Sequence, residues 1–198
     1  MRLEDSYDNW VQKLDLTCMS STQIGNIATM YFAGWLSTLV FVPRLADMYG
    51  RYKLIILANI ISVTALFSIV LTHSYGVMLA SLWTLGMTTT VVKQISMLYN
   101  YENAARSHYS TTVAVLFVIE GTVTLLCTFY YTYISKHWIA LGVIALTMGI
   151  ISIILSLRFV ESPRFLAKAG KKEELCVVLE LIAKRNDKDQ ALVSTERV

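Results

Sequence analysis

Charged residues are scarce in this sequence: they make up 16% of its 198 residues, whereas an ordinary soluble domain carries about 25%. The scarcity is uneven, because charges vanish over runs of about 18 residues and then return in clusters, as they do where membrane-spanning helices alternate with aqueous loops. The mean hydropathy is +0.53. A soluble bundle of buried helices is the alternative. Several successive, uniformly apolar runs argue against it, because they leave no polar face for water.

Residues that usually carry catalysis are few and badly spaced. Cys18, Cys127 and Cys176 lie in three different settings without metal-ligand spacing, so neither a disulfide framework nor a zinc site is expected. The three histidines lack such spacing too, and the sequence has no Gly-rich phosphate loop and no nucleophile elbow. We therefore expect no enzyme, no metal and no cofactor. The basic tail also contains acids, which favours anionic lipid over nucleic acid as its partner.

Five apolar segments have the length of a membrane span. About 20 helical residues cross roughly 30 Å of hydrocarbon, and helices satisfy their own backbone polar groups in lipid. The connections between the second and third segments and between the last two are very short, so the helices that they join are expected to be antiparallel neighbours. The predicted spans are 24–42, 54–71, 76–99, 111–134 and 138–157.

The distribution of basic residues predicts which side of the membrane each loop faces. One side would hold Arg44, Arg51, Lys53, Arg106 and the many basic residues from Arg158 onward, and the other only Arg2, Lys13 and Lys136. The positive-inside rule places the first group in the cytoplasm. We therefore predict an extracellular segment 1–23, a transmembrane bundle 24–157 and a cytoplasmic helical tail 158–198. Segment 1–23 has no apolar core typical of a signal peptide. It is exported either with the first span or, as we prefer, with further sequence upstream.

The segment that follows the first span is Pro-Arg-Leu-Ala-Asp-Met-Tyr-Gly-Arg-Tyr-Lys, residues 43–53. It resembles the signature loop of the major facilitator superfamily, Gly-x-x-x-Asp-(Arg/Lys)-x-Gly-(Arg/Lys)-(Arg/Lys). Asp47, Gly50 and Arg51 match its most characteristic positions and Lys53 supplies a trailing base. The departures are Pro43, Met48 and Tyr52.

A tight loop between two spans suits these residue types. Gly50 permits a backbone conformation that other residues resist, and Asp47 is able to cap the next helix or to pair with Arg51. An ordinary positive-inside loop is the alternative explanation. The resemblance implies that the partners of this loop lie largely in the second half of a full transporter.

A second match follows the last span, in Arg-Phe-Val-Glu-Ser-Pro-Arg-Phe-Leu, residues 158–166. It looks like the Pro-Glu-Ser-Pro-Arg-(Phe/Trp)-Leu sequence of sugar-porter and organic-cation-transporter branches, with Val160 in place of the first proline. Pro163 would start a helix that Ser162 caps, with Glu161 near its positive end and Arg164 inside it. An amphipathic helix is predicted over 173–185, with one apolar face: Leu175, Val178, Leu179 and Ile182.

A third, weaker match is Glu102 with Arg106, similar to the Glu-to-Arg segment between the family's fourth and fifth spans but shortened. In that family the signature loop joins spans two and three, and Glu-Ser-Pro-Arg follows span six. The resemblance therefore implies an all-α membrane protein, a five-helix partial N-terminal bundle equivalent to spans two to six, with a cytoplasmic helical tail. The first span and the second six-helix half are not in this sequence.

Two ionisable residues fall within predicted spans, Lys93 and Glu120. A lone charge at bilayer depth costs at least about 2.5–3.5 kcal/mol, so each is expected to face protein or a water-filled cavity. Their depths differ by about 6 Å at 1.5 Å per residue, which long side chains on adjacent helices bridge. Either they form a buried structural pair, or one or both line the central cavity and bind solute or carry a proton.

The resemblance implies transport of a small organic solute (a sugar, an organic cation or another organic ion) by alternating access, within a secondary transporter. The expected partners are the lipid bilayer and that solute, with a coupling proton left open. The alternative is an incomplete half-transporter or membrane scaffold without transport of its own, which needs a complementary half or a second copy.

Overall fold

The structure is a computed structural model that describes residues 20–103, 109–135 and 137–185. These residues are almost wholly helical, as the sequence predicts. A π-helical segment, Tyr130–Ile134, continues the fifth α-helix. The α-helices, numbered along the chain, are α1 (Ser21–Leu39), α2 (Val42–Tyr49), α3 (Arg51–Leu71), α4 (Tyr75–Asn103), α5 (Tyr109–Phe129), α6 (Trp138–Ser156), α7 (Pro163–Lys168) and α8 (Lys172–Arg185).

The first helix begins and ends earlier than the apolar run 24–42. Ser20 and Gln23 form a capping box: the Gln23 N–H donates to Ser20 Oγ at 3.4 Å, and the Ser20 N–H donates to Gln23 Oε1 at 3.0 Å. These bonds satisfy backbone groups that a helix start leaves free, so α1 begins at Ser21. At its other end α1 stops at Leu39, and the chain bends by 51° into α2. Pro43 lies in the first turn of α2, where its missing N–H is tolerated. Its ring would clash inside one continuous helix.

Within the part of the chain that the structure describes, four helices are long and apolar enough to cross a membrane: α3, α4, α5 with its π-helical continuation, and α6. The total becomes five when α1 and α2 are taken as one bent span, in agreement with the five predicted spans. Several helices extend beyond those spans; α4 runs from Tyr75 to Asn103, where 76–99 was predicted. Hydropathy identifies only the apolar part of a helix. The helix itself continues into polar residues for as long as its backbone hydrogen bonds continue.

Helix α4 packs against both α1 and α3, and α6 packs against α3. The crossing of α1 and α4 is very close. A Cβ atom at Gly34 would lie 2.0 Å from the carbonyl oxygen of Trp83, and one at Gly86 would lie 2.1 Å from that of Tyr31. Only glycine fits at these two positions. Small residues are the usual means of bringing membrane helices together.

Polar bonds between helices supplement this packing. The buried Asn59 of α3 donates to Ser156 Oγ of α6 at 3.3 Å, and Ser81 Oγ of α4 donates to Ser68 Oγ of α3 at 3.0 Å. Apolar clusters lie at both ends of the bundle. One comprises Ile27, Ile69, Met78, Leu82 and Trp138, and the other Val42, Ala46, Ile55 and Ile95.

Helix α5 differs from the central helices. None of the residues in its apolar stretch of 18 residues is buried, whereas 39% of the residues in the corresponding stretch of α4 are buried. In α6 the buried share of that stretch is 6%. Apolar surface of this extent is stable against lipid or further helices and not against water. The fold is therefore a helical bundle that presents broad apolar faces outward.

Candidate functional site

The segment predicted as a signature loop is mostly helical. Residues 43–49 lie in α2, residues 51–53 form the first turn of α3, and Gly50 links the two helices. Val42 and Ala46 are buried, at 1% and 0% exposure, and they anchor one face of α2 on the neighbouring apolar cluster. This burial explains why the segment is a helix and not an open loop. Gly50 has φ +94°, the left-handed region that favours glycine.

Arg51 lies at the centre of the site, with its side chain only 7% exposed. Its Nη2 atom lies 2.8 Å from Glu102 Oε1, at the end of α4, and 3.2 Å from Asp47 Oδ1, in α2. The guanidinium also lies 5.6 Å from the ring centroid of Phe165, in α7. Among the described residues, its Nε and Nη1 atoms have no hydrogen-bond partner. Arg51 thereby joins three helices to the start of α3 by charge and ring contacts.

Glu161 caps the start of α3. Its Oε1 atom accepts hydrogen bonds from the backbone N–H groups of Arg51 at 2.9 Å and Tyr52 at 3.2 Å. The first N–H groups of a helix have no partner within the helix, and a carboxylate there also favours the positive end of the helix dipole. The same oxygen accepts from the Ser162 N–H at 3.2 Å. The sequence predicts that Glu161 lies near the positive end of α7. In the structure its carboxylate accepts the first N–H groups of α3.

Ser162 is the residue before α7, as predicted, but its side chain makes no capping bond there. It is fully buried, and its hydroxyl donates to Glu102 Oε2 at 2.6 Å. A buried hydroxyl next to a carboxylate forms a strong charge-assisted hydrogen bond. The Ser162 hydroxyl therefore binds Glu102 and does not cap α7. Nearby, the Tyr99 hydroxyl donates to the Val160 carbonyl at 2.7 Å. These contacts fix the segment before α7 on the end of α4.

We call Asp47, Arg51, Glu102, Glu161 and Ser162 the signature cluster. It unites residues of all three sequence motifs; Arg51 and Glu161, which share a hydrogen bond, are 110 positions apart. These residues have partners within this chain. The expectation that the partners of the signature segment lie largely in a second half stays a prediction. Arg106 falls outside the described residues.

Three further predicted residues lie beside the cluster and not inside it. Pro163 opens α7, as expected. The guanidinium of Arg164 lies 5.8 Å from the ring centroid of Tyr101. Lys53, in the first turn of α3, lines the groove between that turn and α8. Sequence reasoning missed Phe165 and Lys168, whose Nζ atom lies 3.9 Å from Asp47 Oδ2. Their only sequence signal is their position within or just after the second motif.

Lys93 and Glu120 form a second candidate site. Lys93 Nζ lies 2.5 Å from Glu120 Oε1, which joins α4 to α5, yet the two side chains are 47% and 54% exposed. They line a cleft of about 240 Å³ whose walls include Ser96, Asn100 and Phe117. The two interpretations drawn from the sequence, a pair and a cavity lining, are therefore compatible in this geometry. The two side chains are about half exposed and not buried.

Comparisons with known proteins agree with these motifs. The profile of the sugar (and other) transporter family matches residues 3–196. A curated relative, "Solute carrier family 22 member 15-like" from Xenopus laevis, is 24% identical over 192 residues, which cover 96% of this chain and 39% of the relative. The chain thus spans about two fifths of the length of that relative.

Proposed function

Because the chain belongs to the sugar (and other) transporter family, we propose that it forms part of a secondary transporter that moves a small organic solute by alternating access. The family and the four or five apolar helices make it a multi-pass integral membrane protein of a transporter family, in the major facilitator superfamily. Solute class, coupling to a proton and the rocking motion belong to the proposal.

The observation that carries the proposal is the signature cluster. Arg51 contacts Glu102, Glu102 accepts from Ser162, and Glu161 caps α3. Three chain segments are thus fixed to one another at a single end of the bundle. In a transporter that works by rocking its helices, the ends of those helices must move as one unit while the middle of the bundle opens. The cluster serves as that rigid end.

We assign this end to the cytoplasm. The support is the concentration of basic residues in the segments that meet there, including Arg44, Lys53, Lys168 and Lys171, which the positive-inside rule places on the cytoplasmic side. The N-terminus is then extracellular and the C-terminus cytoplasmic.

A second candidate function is that of an assembly partner. The outward apolar faces of α5 and α6 favour it, since faces of this extent are suitable for further helices as well as for lipid. In this role the chain would need a complementary half or a second copy to complete a solute pathway.

Uptake by the purified chain in proteoliposomes tests both functions. The probes are radiolabelled D-glucose, tetramethylammonium and benzoate, which represent a sugar, a cation and an anion. We expect saturable uptake of at least one probe, and its loss in Arg51→Ala, which removes the centre of the cluster. Lys171→Ala is the matched control, since that side chain is 48% exposed and pairs with Glu174, outside the cluster. If no probe enters with the chain alone, the chain does not transport these classes unaided; assembly with a partner then becomes the function to test.

A further inference from the structure

A groove lies between the first turn of α3 and helix α8, at the same end of the bundle as the signature cluster. Its volume is about 700 Å³, within the roughly 300–1,000 Å³ of sites that bind small organic ligands. Its walls are largely apolar, and five of the large hydrophobic side chains that form them are exposed: Met48, Tyr49, Phe159, Val177 and Leu181. A group of exposed apolar side chains with polar neighbours marks an interaction site.

The groove lies at the boundary of the membrane. Lys53, which lines it, is in the first turn of α3, the helix Arg51–Leu71 that is long and apolar enough to cross a membrane. The opposite wall is α8, whose Val177 and Leu181 side chains are 56% and 41% exposed. A helix that combines charged residues with an apolar side is suited to the headgroup layer. Lipid in the adjoining leaflet therefore has access to the groove.

The acidic side chains of the groove are already compensated. Glu161 Oε1 accepts three backbone N–H groups, and Glu174 Oε1 lies 2.9 Å from Lys171 Nζ. Glu173 lies in the first turn of α8, where the positive end of the helix dipole favours a carboxylate. None of these three carboxylates therefore needs a cation from a ligand.

Lys53 differs from them. Its side chain is exposed, and its ammonium group has no hydrogen-bond or ion-pair partner among residues 20–103, 109–135 and 137–185. The groove thus combines apolar walls with one uncompensated positive charge at the membrane boundary. An anionic phospholipid has the complementary structure, because it joins an acidic phosphate to apolar acyl chains.

We propose that the groove between α3 and α8 binds an anionic phospholipid, whose phosphate pairs with Lys53 and whose acyl chain lies against Val177 and Leu181. The cytoplasmic orientation proposed above agrees with this occupant, since the cytoplasmic leaflet is the one that carries anionic lipid. A lipid bound there contacts both walls and holds α8 against the end of the bundle. The inference goes beyond solute transport and does not depend on it.

Native mass spectrometry of the full chain in detergent tests the proposal by counting bound lipids. The probes are dioctanoyl phosphatidylglycerol, dioctanoyl phosphatidylcholine, which has the same acyl chains without net charge, and glycerol 3-phosphate, which has the phosphate without the chains. We expect phosphatidylglycerol to bind about fivefold more tightly than phosphatidylcholine, the usual effect of one lysine at a membrane surface. Glycerol 3-phosphate should bind at least about tenfold more weakly than phosphatidylglycerol, because it buries no methylene groups.

Three outcomes of that measurement would overturn the proposal. Equal affinity for the two lipids would remove the role of the charge. Glycerol 3-phosphate binding as tightly as phosphatidylglycerol would assign the groove to free phosphate compounds. A dimer in place of a lipid adduct would assign it to a second copy of the chain.

Charge variants locate the headgroup. Lys53→Gln should abolish the preference for phosphatidylglycerol, and Lys53→Arg, which keeps the positive charge, should retain it. Lys172→Gln is the matched control, because it removes the same charge from an exposed residue of α8 that does not line the groove; it should retain the preference. An equal loss in the two glutamine variants would show a general effect of surface charge and would contradict the assignment to Lys53.

The double variant Val177→Ser with Leu181→Ser locates the acyl chain. Both side chains are exposed, so we expect the variant to fold, with the elution volume and thermal unfolding of the wild type. It should weaken the two dioctanoyl lipids alike, by roughly tenfold, and leave their ratio unchanged. Undiminished binding of both lipids would place the acyl chains elsewhere and would refute the proposed site.

Discussion

Glu161 accepts a hydrogen bond from the backbone N–H of Arg51 at 2.9 Å, although the two residues are 110 positions apart. The bond fixes the segment before α7 to the start of α3. Gly50 makes room for it, because a Cβ atom there would lie 2.5 Å from the other carboxylate oxygen of Glu161. The cap on α3 therefore depends on the absence of a side chain at Gly50, and this link between the two motifs leads to the first prediction.

Glu161→Ala should destabilise the chain by about 1–2 kcal/mol, the usual effect of losing a helix cap. It removes the acceptor that the Arg51 and Tyr52 N–H groups share. Glu161→Gln keeps an acceptor oxygen and should lose less. Thermal unfolding in detergent measures the effect, at about 2–4 °C per kcal/mol. Glu174→Ala, in an exposed pair, is the control, and an equal loss in both alanine variants would refute the capping role.

Arg51→Ala should cost about 3–5 kcal/mol, because it leaves the buried carboxylate of Glu102 without its positively charged partner. The two side chains are only 7% and 9% exposed. The double variant Arg51→Met with Glu102→Gln should cost clearly less than the sum of its two single changes, since neither group is then left as an isolated charge. Unfolding of the four proteins in a double-mutant cycle measures this coupling, and additive effects would show that the two side chains act independently.

Gly34→Ala and Gly86→Ala should each destabilise the bundle by about 1–3 kcal/mol or more, the cost of overpacking. The added Cβ would lie 2.0 Å and 2.1 Å, respectively, from a carbonyl oxygen of the facing helix. The matched controls lie on the same two helices: Gly25 in α1 and Gly76 in α4 have nothing within 4 Å of a built Cβ. Alanine at these control positions should be neutral or slightly stabilising. Thermal unfolding compares the four variants, and a similar loss in all of them would rule out the close crossing as the cause.

The proposed topology predicts opposite accessibility for two native cysteines. Cys18 would be extracellular and Cys176, in α8, cytoplasmic, whereas Cys127 lies in α5. On intact cells, a membrane-impermeant maleimide should label a Cys127→Ser/Cys176→Ser variant, which keeps only Cys18. It should not label a Cys18→Ser/Cys127→Ser variant, which keeps only Cys176. Permeabilised cells, in which both variants should react, provide the control. The reverse pattern on intact cells would invert the orientation.

Much of the fold could be predicted from the sequence, because apolar runs of span length leave a chain few structures other than helices. The ends of the helices were less predictable. The Ser20–Gln23 capping box, the stop at Leu39 and the extension of α4 to Asn103 depend on local bonds that hydropathy does not record. The helical state of α2 was missed because its short apolar face is stabilised only by contact with other helices.

The sequence by itself determined the class of molecule, the approximate spans and the two motifs, since these follow from composition and from residue order. Only the tertiary structure decided which residues meet. It placed Glu161 on α3 and Ser162 on Glu102, and it left the Lys93–Glu120 pair open to a cleft. The physical reason is that a charged side chain binds the nearest complementary group in space. Helix packing, here set by close contacts such as those of Gly34 with Trp83 and of Gly86 with Tyr31, determines which group that is.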